Sequence, residues 1–207
     1  MTYHLLQKSG NTKIDRSVCT TSIMPGPIDC GGSCVNCCNC WPTCYCHHSL
    51  WRPTVRGSWE YGYALAKNDP EAFTEGMIYE LSHTRKDKCR VHAAGDFFNA
   101  RYVDAWHDVA TVKNDKFFWT YTKAWNWSKA MNEALTRLDG LPNFNIVRSL
   151  YRGSINYGTD EYIHKLAEQI QNDGHRVFIC PCGYRDVKCG KECTACAEYK
   201  YVLFLQH

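Results

Sequence analysis

The chain has 207 residues, 44% hydrophobic and 14% aromatic, which is enough for one domain with a substantial core. Its net charge of +3 is too small to demand a polyanionic partner, and no apolar run reaches membrane-spanning length, so no membrane association is expected. Met1-Thr2-Tyr3-His4 lacks the basic start and apolar run of a signal peptide, so the fourteen cysteines are expected in a reducing cytoplasm, as thiols or metal ligands rather than disulfides.

In chain order, Tyr3 to Leu6 and Val18 to Ile23 are short β-prone runs broken at Ser9-Gly10-Asn11. Pro25-Gly26-Pro27 forces a loop. A cysteine-rich loop, 30–48, begins at once: Cys30, Cys34, Cys37, Cys38, Cys40, Cys44 and Cys46, then His47 and His48, are seven cysteines and two histidines in nineteen positions. So short a segment cannot pair that many thiols in unstrained disulfides, and thiolate ligation of a soft metal centre is the economical reading.

Helical character returns after Pro53, with Trp59, Tyr63 and Ala66 on one face. Asp69-Pro70-Glu71 marks a second helix through a cap, a proline at the first turn and an acidic start. Its Phe73, Met77 and Leu81 recur every four residues. An alternation of strand and helix follows. Strands are predicted at Arg90 to Ala94, Lys116 to Thr122, Asn145 to Val147 and Arg176 to Ile179. Helices are predicted from Asn99, from about Asn126 (with Trp127 and Met131 on its apolar side) and from Asp160. Strand starts near 90, 116, 144 and 176 repeat at the length of a βα unit. The expected fold is α/β, a single domain over residues 1–207 built as a partial (βα) barrel-like parallel sheet. Right-handed crossovers then put the cysteine-rich loops at the C-terminal strand edge.

Each strand ends in a reactive side chain: Asp96, Lys123, Arg148 with Ser149, and Cys180. These are expected to converge. Gly95 permits close backbone approach to a ligand beside Asp96, or else Asp96 caps a helix. Lys123 and Arg148 are candidates for an anionic group. His92 reads as a satisfied core histidine. Trp51-Arg52, Arg56 and Trp59-Glu60-Tyr61 either stack on a nucleic-acid base or pack over the cysteine loop.

Cys30-x3-Cys34-x2-Cys37 has the spacing by which radical S-adenosylmethionine enzymes hold a cluster with three thiolates, and Cys40-x3-Cys44 offers a second frame. The C-terminal segment 180–196 holds Cys180, Cys182, Cys189, Cys193 and Cys196, sufficient for a second iron–sulfur cluster or a structural zinc. Setting Cys19 and Cys89 aside as core, twelve cysteines suffice for two or three 4Fe-4S clusters.

The motif order resembles the phage-encoded gene-product-eighty-eight domain family. The carriers are Cys30-Gly, Cys40-x3-Cys44-Tyr45, the block Val91 to Phe98, the strand Phe118 to Thr122, and Cys180-Pro181 with its trailing cysteines. More distantly the chain is similar to radical S-adenosylmethionine barrels. The resemblance brings Cys30, Cys40 and Cys44 forward, with Cys180, Cys189, Cys193 and Cys196 as a distal set. It implies a cluster that binds S-adenosylmethionine at an open iron, Gly95, Asp96 and Ser149 as cofactor-binding residues, and catalytic roles for Asp96, Lys123 and Arg148. A flavodoxin or ferredoxin of the host would supply electrons for an unknown substrate or host protein. Two departures stand out: Asn36 precedes Cys37 where an aromatic is usual, and Cys46-His47 follow Tyr45, which shifts the third ligand by one place. A non-catalytic iron–sulfur protein and a zinc-binding interaction module are the alternatives.

Overall fold

The computed structural model describes residues 3–7, 14–35, 41–125, 127–148, 160–180 and 193–204. Cys37, Cys38, Cys40, Ser149, Cys182 and Cys189 lie outside them. The main sheet has five strands. β1 (Leu6–Gln7) runs antiparallel to β2 (Val18–Thr21), and β2, β3 (Lys88–Val91), β4 (Phe117–Thr122) and β5 (Phe144–Arg148) are parallel neighbours in that order.

Side chains alternate between sheet faces along a strand, so register decides what each face presents. One row aligns Cys19, Cys89, Phe118 and Phe144, and all four are buried against the helices. The next row aligns Thr20, Arg90, Trp119 and Asn145, which belongs to the opposite face. Cys19 and Cys89, read as core residues, are core, and they lie side by side.

A short helix α1 (His47–Leu50) ends the cysteine-rich loop. Four longer helices, α2 (Pro53–Asn68), α3 (Pro70–Ser82), α4 (Ala100–Val112) and α5 (Lys129–Asp139), pack in sequence beside one another. Their starts are defined by caps that accept an orphan first-turn N–H: Asp69 from Ala72 at 3.0 Å, Asn99 from Tyr102 at 2.8 Å and Ser128 from Met131 at 3.2 Å. Phe73, Tyr102, Trp106, Met131 and Leu138 carry the apolar faces into one continuous core with β3, β4 and β5.

Three expectations need correction. The third strand stops at Val91 instead of Ala94, because His92 takes a left-handed backbone with φ 58°. The fifth helix starts after Ser128 and not near Asn126, since Trp127 N–H closes a turn onto the Ala124 carbonyl, which leaves Trp127 outside the apolar face and 50% exposed. The last strand of the series, β6 (Val177–Cys180), does not extend the main sheet. It pairs in parallel with β7 (Tyr201–Phe204) in a second, two-stranded sheet. The helix α6 (Asp160–Asn172) buries Ile163, Ala167 and Ile170 on Leu203, Val177 and Ile179 of that small sheet. Its other face, with Phe178, Cys180 and Val202, packs on Trp119 and Val147 of the main sheet.

Candidate functional site

The segments leaving β2 and β3 stay paired beyond the strands. Ala93 N–H donates to the Thr21 carbonyl at 2.8 Å, and Ile23 N–H to the Ala94 carbonyl at 3.1 Å. Gly95 follows at φ +85°, where a Cβ would stand 2.7 Å from the Ile23 carbonyl oxygen and 2.8 Å from Ser33 Oγ. Glycine is required there by space as well as by backbone conformation. Ser33, fully buried, donates to the Met24 carbonyl at 2.8 Å and accepts from Asp96 N–H at 3.1 Å. The start of the cysteine-rich loop is thereby stitched to the C-terminal ends of β2 and β3.

Asp96 extends the stitching to β4. Its Oδ1 accepts from Thr122 Oγ1 at 2.6 Å and Phe97 N–H at 2.7 Å, and its Oδ2 accepts from Lys123 N–H at 2.8 Å. Burial pushes the carboxyl up to about 6, against the pull of those three donors and of the Lys123 charge. Below it, His92 is 3% exposed, with Nε2 2.9 Å from the Tyr102 hydroxyl and Nδ1 3.4 Å from Thr120 Oγ1. Burial drives its pKa down to about 3, so it is a neutral core imidazole, as its sequence context indicates.

The far end of the cysteine loop sits on this rim. Cys46 is 3% exposed and packs with Trp59, Ala94, Cys44, Leu50 and Val55. Cys44 and Cys46 share a hydrogen bond, which lowers the Cys44 thiol and raises that of Cys46; His47 and Lys123 add positive charge that also favours a Cys44 thiolate. The Cys34 charge reaches Cys46 as well. Tyr45, between the two thiols, donates its hydroxyl to the Ala93 carbonyl. Trp59 packs in the same cluster, and its indole N–H is buried with no acceptor, as is that of Trp106 in the main core.

Cys34, Cys44, Cys46, Asp96 and Lys123 are thus brought to one rim. Cys30 ends an exposed turn, Ile28–Cys30, on the same loop. Cys180 and Cys196 lie instead against the sheet face opposite the large helices, in a cluster with Trp119 and Val147. The Tyr121 hydroxyl donates to Cys196 Sγ, and Asn145 Nδ2 donates to the carbonyls of Cys196 at 2.7 Å and Tyr199 at 3.1 Å. These bonds hold α7 (Ala195–Glu198) to the sheet, with Cys193 half-buried just before it. Arg148 ends β5 in register with Thr122 and lines a cavity of about 240 Å³ with Trp125, Asn132 and Asp139. Among the described residues, no three Cys, His, Asp or Glu side chains form a metal-binding group. Cys30, Cys44, Cys46 and Cys193 are free thiols.

Arg90 escaped the sequence reading, although its place between Cys89 and Val91 on a strand already assigns it to the face opposite the helices. A family model described as gene product 88 matches residues 4–199. The chain belongs to the gene product 88 family. The match takes in both cysteine sets and the rim between them. No curated protein and no solved structure matches the chain. Among the described residues no helix is long and apolar enough to cross a membrane.

Proposed function

We propose that this gene product 88 family protein is an iron–sulfur protein of radical S-adenosylmethionine type, working in the reducing cytoplasm of a phage host. The thiolate ligands of one 4Fe-4S cluster would be drawn from Cys30, Cys34, Cys37, Cys38, Cys40, Cys44 and Cys46. Those of another would be drawn from Cys180, Cys182, Cys189, Cys193 and Cys196. The observation that carries the reading is the Trp59 indole N–H, buried without an acceptor on a residue that packs in one cluster with Cys44 and Cys46. A buried donor left unpaired is costly, and cluster or thiolate sulfur is an acceptor that removes the cost. The donor set supports iron over harder metals, since it is almost wholly thiolate.

When bound, such a cluster supplies the electron that cleaves the sulfonium of S-adenosylmethionine to a carbon radical. The chain's own residues give the setting. Lys123 brings positive charge to the rim, suited to the methionine carboxylate, and Asp96 holds the ends of β3 and β4 together beneath it. The unbroken order β2-β3-β4-β5 supports a partial-barrel reading, because consecutive right-handed crossovers put the large helices on one face and gather the C-terminal strand ends at one edge.

One observation favours a second reading, a non-catalytic electron carrier or redox-sensitive binder of a host protein. The Asp96 carboxylate already accepts three bonds from its own chain, so it is not poised to orient a cofactor amine. Anaerobic purification separates both from a zinc module: a brown protein with a paramagnetic cluster signal on reduction is expected, and a colourless one contradicts the proposal. Reduction by dithionite, or by flavodoxin or ferredoxin, with added S-adenosylmethionine then decides catalysis. Release of 5′-deoxyadenosine supports the enzyme; its absence, with a cluster spectrum that S-adenosylmethionine does not perturb, leaves the electron carrier.

A further inference from the structure

Arg90 stands in the middle of β3, in register with Thr20 of β2 and Trp119 of β4, on the face opposite the large helices. Cys89 and Val91 on either side turn to the helical core, so this position alone of the three looks the other way. The guanidinium lies 5.2 Å from the centroid of the Tyr121 ring. Its Nε is buried and has no acceptor. Among the described residues no carboxylate forms an ion pair with it.

A guanidinium cannot shed its proton to escape burial, so a buried N–H without an acceptor on an arginine calls for an outside acceptor. The neighbouring hydroxyls offer no negative charge. Thr20 bonds Gln7 at 3.1 Å, Tyr121 donates to Cys196 Sγ and Tyr45 donates to the Ala93 carbonyl. Two of those tyrosines locate Arg90. Tyr121 leads to the C-terminal cysteines, and Tyr45 lies between Cys44 and Cys46. The Arg90 charge lies close enough to the Tyr45 hydroxyl to be felt there.

We propose that Arg90 anchors the oxyanion of a small ligand, a carboxylate or a phosphate, on the sheet face between the two cysteine sets. Planar, forked donors suit both groups, and the cation–π contact with Tyr121 fixes the fork. A small molecule is favoured over a polymer because the acceptor has to reach a buried atom. The assignment does not depend on iron in loop 30–48.

The test uses the full chain as isolated. Its melting temperature is followed against sodium phosphate and against sodium succinate, at ionic strength held constant with sodium chloride. A ligand that binds only the folded protein gives a saturable rise. The wild type is expected to show that rise with at least one probe, and the probe that works names the oxyanion. Arg90→Met should abolish it, and Arg90→Lys, which keeps charge but loses the fork, should weaken apparent affinity by about tenfold. Without probe, Arg90→Met should melt no lower than wild type, because it removes a buried N–H that has no acceptor and keeps the apolar stem. A flat wild-type titration with both probes, or an equal rise in Arg90→Met, overturns the proposal. So does a lowered ligand-free melting temperature in Arg90→Met with the probe response retained, which marks a packing role.

Discussion

Asp96 joins two strand ends through three donors, Phe97 N–H, Thr122 Oγ1 and Lys123 N–H, and no residue but a carboxylate accepts all three. In Asp96→Asn the amide NH2 has to face one of them, so we expect a loss of about 1–3 kcal/mol in thermal denaturation. The sign of its pH dependence follows from the raised pKa. Between about 4 and 6 the folded protein retains a proton that the unfolded chain has released, so the contribution of Asp96 is fullest below 4 and is lost as pH rises through 6. Melting profiles over that range should fall less steeply in Asp96→Asn than in wild type. Gly95→Ala places a methyl 2.7 Å from a backbone oxygen at φ +85°, and should cost about 1–3 kcal/mol. Trp59→Phe preserves the packing and removes one N–H; with sulfur as its acceptor, the variant should hold its cluster at a more negative reduction potential, measured by redox titration. The pair Gly95-Asp96 was legible as a place of close approach. The neighbour that approaches, Ser33 with Ile23, was not, because it comes from more than sixty residues away in the chain.

Helix starts illustrate what local chemistry reveals at the level of elements. Asp69 and Asn99 cap as expected, because side-chain acceptor and first-turn N–H are neighbours in sequence. Asn99→Ala should therefore cost about 1 kcal/mol, read as a melting temperature lower by ~2–4 °C. The turn from Ala124 to Trp127 delays the start of the fifth helix to the Ser128 cap. Pairing is less local. Val177–Cys180 was recognisable as a strand, but its partner Tyr201–Phe204 was missed, and the two build a separate sheet under α6. That displacement sends Cys180 and Cys196 to the sheet face opposite the helices, while Cys44 and Cys46 remain on the rim.

Across the molecule, the parallel order β2-β3-β4-β5 leaves one face to the large helices and the other to Arg90, Tyr121 and the C-terminal cysteines. Repeating βα lengths made the parallel sheet readable, and the density of cysteines in loop 30–48 made the metal hypothesis readable. Neither pattern assigns thiols to clusters, since ligand grouping depends on how distant loops meet. Acid-labile sulfide and iron, counted together in protein purified without oxygen, test the iron–sulfur reading most directly. That reading requires equal amounts of the two, about four of each for every cluster held. Zinc in place of iron, or no sulfide with the thiols joined to one another, would contradict it.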